Sequence, residues 1–216
     1  RDYWEGRLAT LPPAPTVPLR SEAPAHAGTS SHYGEAPLSA DRLRSLTALS
    51  ARFGLTPTAV LLSLYALALD RYASRSDMLL NVLHCLRHPV HEDHDRVIGN
   101  FSSSFLCPVD VGGREKSMLT HARAAQAALV ECQSNNTISG VDVMSMINSR
   151  SSASGVAVAP FIFVSAMGLE HAEGLAGAWR DLAFTERRVT ESTSGTIMVH
   201  AIKEYPNGEM YHGFNV

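Results

Sequence analysis

A chain of 216 residues with 45% hydrophobic and 18% charged side chains can bury one good core or two small ones, and it is too apolar to remain disordered. Its formal net charge of −3 argues against a nucleic-acid partner, which calls for a basic patch. No apolar run approaches the roughly 20 residues of a membrane helix and no signal peptide stands at Arg1, so a cytoplasmic protein with no membrane partner is expected.

Residues 1–20 open as a short aromatic helix around Tyr3 and Trp4 and pass into an extended arm, because Pro12, Pro13, Pro15 and Pro18 forbid helix. This arm is expected to act as an interdomain strap that buries Tyr3 and Trp4 on the next lobe. Residues 21–37, rich in Ala, Ser, Pro and Gly, are expected to be loop. From Ala40 to Phe53, the spacing of Leu43, Leu46, Leu49 and Phe53 predicts one apolar helix face, ended by Gly54. Thr56-Pro57 then caps a second helix whose body, residues 58–73, is apolar nearly all round and therefore expected to be buried on most sides.

Met78 to Leu106 holds the most informative stretch. Met78, Leu79, Leu80, Val82, Leu83 and Leu86 form an apolar run of strand length; a polar segment follows, and apolar sequence resumes at Phe105 and Leu106. Two strands flanking one loop are predicted, the second over Phe105–Val111, with Gly99-Asn100-Phe101-Ser102-Ser103 at the end of the loop. A helix is predicted over Glu115–Gln133, and Ser139-Gly140-Val141-Asp142 has the Ser-x-x-acid form of a further helix start, with Val141, Met144 and Ile147 on a common face. Residues 156–167 are predicted as a buried central strand. Gly195–Tyr205 and Glu209–Val216 are predicted as a hairpin about Pro206-Asn207-Gly208. Helices alternating with strands and then a β-rich end imply an α/β layer architecture with a mixed sheet.

Cys85, Cys107 and Cys132 have neither metal nor redox spacing and are expected to be reduced thiols. His84, His88, His91 and His94, with Glu92, Asp93 and Asp95, are metal-competent side chains, but they straddle a strand end and a proline-interrupted turn; a solvated loop and no metal are expected. Phosphate loops, dinucleotide fingerprints, nucleophile elbows and CxxC pairs are missing from the sequence. Arg1 is not an initiator and Val216 ends a strand-like run, so the sequence reads as part of a longer chain.

Several of these segments together resemble the heterocyclization domains of nonribosomal peptide synthetases, members of the condensation superfamily. Tyr3, Trp4, Arg7, Leu8, Leu11, Pro12, Pro15, Pro18 and Leu19 fit the family's YWxxRLxxLPxxPxLPL-like segment. Asn81, Arg87, Pro89 and Val97-Ile98-Gly99-Asn100-Phe101-Ser102-Ser103 follow its LNLTLFNR…VVGDFTS order, with Asn100 for Asp and Ser102 for Thr, and Ser139–Val143 matches an SGVEV-like segment. The resemblance implies a chloramphenicol acetyltransferase-like lobe, one half of a V-shaped domain. The family's HHxxxDG or DxxxxD motif belongs to the N-terminal lobe and has no match here. The expected organisation is a connecting strap and loop over 1–37 and a C-terminal lobe over 38–216, stopping before its final helix and inactive in isolation.

The resemblance also implies chemistry. An amide forms between carrier-bound acyl and Cys, Ser or Thr thioesters, and the side-chain nucleophile then closes a ring with loss of water. No cofactor is bound permanently; phosphopantetheine arrives on partner peptidyl or aryl carrier proteins, and the other partners are neighbouring synthetase domains and the N-terminal lobe. Within the family, a Thr in a PVVFTS-like strand works with an Asp in a later strand. Here Pro160–Ser165 reads PFIFVS, which puts Val164 at the Thr, and the Asp falls at or within one residue of His200, with the preceding turn near Thr193. Valine has no proton to transfer, so Ser165 and His200 are the catalytic candidates, His200 because imidazole titrates near neutrality. Asn100, Ser102, Ser103, Val164 and Thr193 are the expected channel residues. A degenerate docking or structural module stands as the alternative, because losing one partner of a cooperating pair removes most of its benefit. The strap and the Gly99–Ser103 loop speak against a free-standing acyltransferase.

Overall fold

The computed structural model describes residues 1–18, 33–86, 90–113, 115–150, 157–167, 196–204 and 208–215. Helix α1 (Asp2–Arg7) leads into the extended strap; β1 (Tyr33–Leu38), α2 (Ala40–Arg52), α3 (Pro57–Asp70), β2 (Asp77–Cys85), β3 (Ser102–Asp110), α4 (Met118–Ser134), α5 (Gly140–Arg150), β4 (Phe161–Ala166), β5 (Met198–Glu204) and β6 (Met210–Asn215) follow. The strands form one mixed sheet of six in the order β1-β6-β5-β4-β2-β3, with β2, β4 and β5 parallel and the rest antiparallel. The α/β reading of the sequence is what the chain adopts. Among the described residues, no single helix is long and apolar enough to cross a membrane.

Register divides the side chains of this sheet between two faces. On β2, β3, β4 and β5 the first face carries Leu80, Val82, Phe105, Cys107, Phe161, Phe163 and Ile202, all buried. Helix α3 lies over it, with Tyr65 stacking 5.8 Å from Phe163. Helix α4 adds Leu129 and Cys132 to the same core. The second face is covered only in part. At one end the strap reaches it, its Pro13 carbonyl accepting from the Leu79 amide at 2.9 Å. Over β3 sits the start of α5, where Gly140 packs so closely that a Cβ would stand 2.7 Å from Ser104 Oγ and 3.1 Å from its backbone. Beyond these, Leu83, Ile162, Val164, Val199 and Ala201 are half-buried.

Local chemistry explains the helix ends. Thr56 caps α3 by accepting from the Ala59 amide at 3.2 Å, with Pro57 in the first turn. Ser139 and Asp142 form a reciprocal capping box at α5, the Ser139 amide and hydroxyl donating to Asp142 Oδ2 at 3.0 and 2.7 Å. These bonds hold the Asp142 carboxyl below its ordinary pKa. Gly54 ends α2 with φ of +67°, a conformation that costs a side-chained residue more. Gln126 of α4 clasps this turn, accepting from the Thr56 amide at 2.7 Å and donating to the Gly54 carbonyl at 2.8 Å.

Four details depart from the sequence reading. Within the segment expected to be loop, Tyr33–Leu38 is an edge strand paired with β6; backbone pairing to an available neighbour outweighs its composition, and an edge position tolerates Pro37, as the opposite edge tolerates Pro108. Strand β3 begins at Ser102 rather than Phe105, because pairing with β2 extends to the Cys85–Ser102 pair. On α2 only Leu43 is buried and Leu46 partly so, while Leu49 and Phe53 are exposed. On α5 Val143 is buried and Val141 exposed, because the close approach at Gly140 rotates that face toward β3.

Candidate functional site

The carboxyl ends of β2 and β4 and the start of β3 lie at one edge of the sheet, since Cys85 pairs with Ser102, His84 with Ser103 and Leu83 with Val164. Ser102 and Ser103 thus stand on one side of β2 and Val164 and Ser165 on the other, with Ser102 and Val164 facing one side of the sheet and Ser103 and Ser165 the opposite side. Asn100 shapes the entry to β3, its side-chain oxygen accepting from the Ser102 amide at 2.9 Å, and the Leu86 amide closes the loop on the Phe101 carbonyl at 2.8 Å. Residues 87–89 and Thr193 lie outside the described residues.

The catalytic candidates share a face but not a contact. The Ser165 hydroxyl lies 3.0 Å from the Thr58 hydroxyl of α3, and on β5 its partner is Ile202. His200 pairs with Phe163 and is 7% exposed, its ring 5.0 Å from Tyr65, 5.8 Å from Phe163 and 5.7 Å from His212. Burial, aided by His212, pulls its pKa down to about 4, so the imidazole is neutral at neutral pH. Val164 stands on the opposite face, where its β5 partner is Ala201. Register therefore separates Val164 and His200: alternate residues of a strand point to opposite sides.

Three further residues mark the site that the sequence reading did not single out as functional. Asn81, 7% exposed on the second face between Leu106 and Ile162, has a buried side-chain oxygen without a hydrogen-bond partner. Such a group is costly unless something binds it; an Asn inside an otherwise apolar strand was the available signal. Thr58 and Tyr65 are the polar side chains that α3 presents beside Ser165 and His200, and no period in the sequence distinguishes them from packing positions. Exposed His91 and half-buried His94 belong to local turns, the His94 amide donating to the His91 carbonyl at 3.1 Å. Among the described residues no three His, Cys, Asp or Glu side chains gather as a metal site.

Comparison with known proteins decides the family. No family model matches. Phenyloxazoline synthase MbtB of Mycolicibacterium paratuberculosis is 34% identical over 169 residues, 78% of this chain and 14% of that protein. The cyclization-docking bidomain of the nonribosomal peptide synthetase EpoB from Sorangium cellulosum superposes with a TM-score of 0.82 at 25% identity, over 100% of this chain and 42% of that one. The chain belongs to the condensation/heterocyclization domains of nonribosomal peptide synthetases. Pyochelin synthetase PchF of Pseudomonas aeruginosa, 28% identical over 168 residues, is a further relative. This condensation/heterocyclization chain spans 14% of MbtB, 9% of PchF and 42% of the EpoB bidomain.

Proposed function

We propose that this lobe supplies one wall of the channel in which a nonribosomal peptide synthetase joins two carrier-bound thioesters, the second lobe supplying the other wall. The amine of a Cys, Ser or Thr thioester attacks the upstream acyl thioester, forming an amide and releasing the upstream carrier thiol. Phosphopantetheine arms of peptidyl or aryl carrier proteins would present both substrates. The observation that carries this reading is the second sheet face, where the Asn81 oxygen lies buried and unpaired, in a chain whose relatives are such synthetases. Around it Leu83, Ile162 and Val164 are half-buried, a surface that a substrate or a second lobe can cover.

Ring closure is a separate matter. It needs a group to take and return protons as the new amide carbonyl is attacked and water leaves. Val164 and its neighbour Ala201 have none to offer, and His200 lies across the sheet. We assign amide formation without cyclodehydration. Mass spectrometry of the full synthetase, with both carriers loaded, should show the linear amide on the downstream carrier; a product lighter by one water would overturn this assignment. The absence of the family pair favours a second reading, a degenerate docking module, and unchanged thioesters on both carriers would establish it instead.

A further inference from the structure

The outer surface of the helical layer carries apolar side chains as well. Helix α2 ends at Arg52 and the turn that follows it meets α4, so that Phe53, Leu55, Arg123, Ala127 and Val130 line an open groove of about 470 Å³. Arg123, Ala127 and Val130 recur at four- and three-residue spacing, which sets them along one face of α4. Leu49 lies one turn of α2 before Phe53. Leu49, Phe53 and Val130 are 54%, 40% and 56% exposed; the core does not use them, and they cluster where a partner can cover them.

The free charges around this groove are of one sign. The carboxylates of the same helices are engaged elsewhere: Asp41 pairs with Arg44, Glu131 accepts from Arg7 at 2.6 Å and from the Tyr3 hydroxyl at 2.9 Å, and Asp70 is buried. Gln126 is held by the Thr56 amide and the Gly54 carbonyl. Arg52 and Arg123 remain exposed, and among the described residues no carboxylate pairs with either. Arg52 lies over the Phe53 ring, its Cζ 5.8 Å from the centroid, so one guanidinium is already placed at the apolar centre. The chain as a whole carries a formal charge of −3; the sign of this patch is opposite to that of the molecule. Arginine beside an exposed aromatic ring is also the composition of interface centres.

We infer that the groove between the α2–α3 turn and α4 docks an acidic amphipathic helix of a partner protein, with leucine-type side chains on Phe53, Ala127 and Val130 and carboxylates on Arg52 and Arg123. Ala127, small and exposed between Arg123 and Val130, lets a second helix approach α4 closely. A basic helix would meet two uncompensated like charges there.

The full chain is titrated, by fluorescence anisotropy, with a labelled peptide of about 18 residues, long enough to hold a helix, that carries leucines on one face and glutamates on the other. A second peptide has lysine for every glutamate, and a third has serine for every leucine. The glutamate peptide should bind about tenfold more tightly than either, and its advantage over the lysine peptide should shrink as salt rises from about 0.05 to 0.5 M. Arg52→Glu combined with Arg123→Glu should make the lysine peptide the tighter ligand. Phe53→Ser and Val130→Ser should each weaken the glutamate peptide about five- to tenfold. All four positions are exposed, so the melting temperature should hold. No binding of the glutamate peptide, equal binding of the three peptides, a glutamate preference that survives the charge reversal, or an affinity untouched by both serine variants would each overturn the proposal. Because binding is read without turnover, the result stands apart from whether the channel joins thioesters.

Discussion

The two faces of the sheet have been built to different specifications. Beneath α3 and α4, Phe105, Phe161, Phe163 and Ile202 are each at most 1% exposed, and even the histidine in that layer is packed against aromatic rings. Opposite, the strands offer half-buried Leu83, Ile162, Val164 and Ala201 around one buried amide. A layer of the first kind holds the lobe together; a layer of the second kind leaves room for something else. Burial thus alternates along β4, while on the second face of β2 and β3 Leu79 and Leu106 are as buried as anything under the helices.

The sharpest test sets adjacent residues against one another. Phe163→Ala should cost about 3–5 kcal/mol of stability, because a fully buried ring leaves a cavity, whereas Val164→Ala should cost about 1 kcal/mol or less. Urea unfolding of both variants checks this, and similar losses would break the distinction between the faces. A smaller effect probes where the second face is closed. Gly140→Ala should destabilise by about 1–3 kcal/mol, since the added methyl meets Ser104 side chain and backbone together; no loss would mean that α5 is free to lift from β3.

The smallest effect depends on pH. With the folded pKa of His200 near 4 and the unfolded value near 6.5, the unfolded state binds more protons between those limits. Stability contributed by the neutral imidazole is therefore full above about pH 6.5 and is lost as pH falls toward 4. Going from pH 7.5 to 5 should cost the protein up to about 2 kcal/mol more than it costs His200→Phe. Parallel denaturation curves at the two pH values measure the difference, and equal slopes for the two proteins would mean that His200 is better solvated than its burial indicates.

Much of the fold could be read because local chemistry and tertiary packing agree. Thr56-Pro57, the Ser139–Asp142 box and the apolar run from Met78 each say the same thing at both levels. β1 was hidden because Gly34 and Pro37 belong to loops by composition, and only β6 makes them a strand. The site was legible in part. Ser102, Ser103, Val164 and Ser165 lie toward the same end of the strands but alternate between the two faces; alignment to within one residue cannot fix which side of a strand a side chain takes, and one residue is what separates His200 from Ala201. Asn81 stood out only as an amide inside an apolar strand, and Tyr65 gave no signal, since an unpaired polar atom is a property of its surroundings.

The contact between Pro13 and Leu79 has a mechanical corollary. Leu79 belongs to β2, which has β3 on one side and β4 on the other. The strap is thus fastened to β2 rather than to an edge strand, and tension applied through residue 1 would first load α1, whose buried Trp4 donates to the Asn135 carbonyl at 2.8 Å, before it reached that strand.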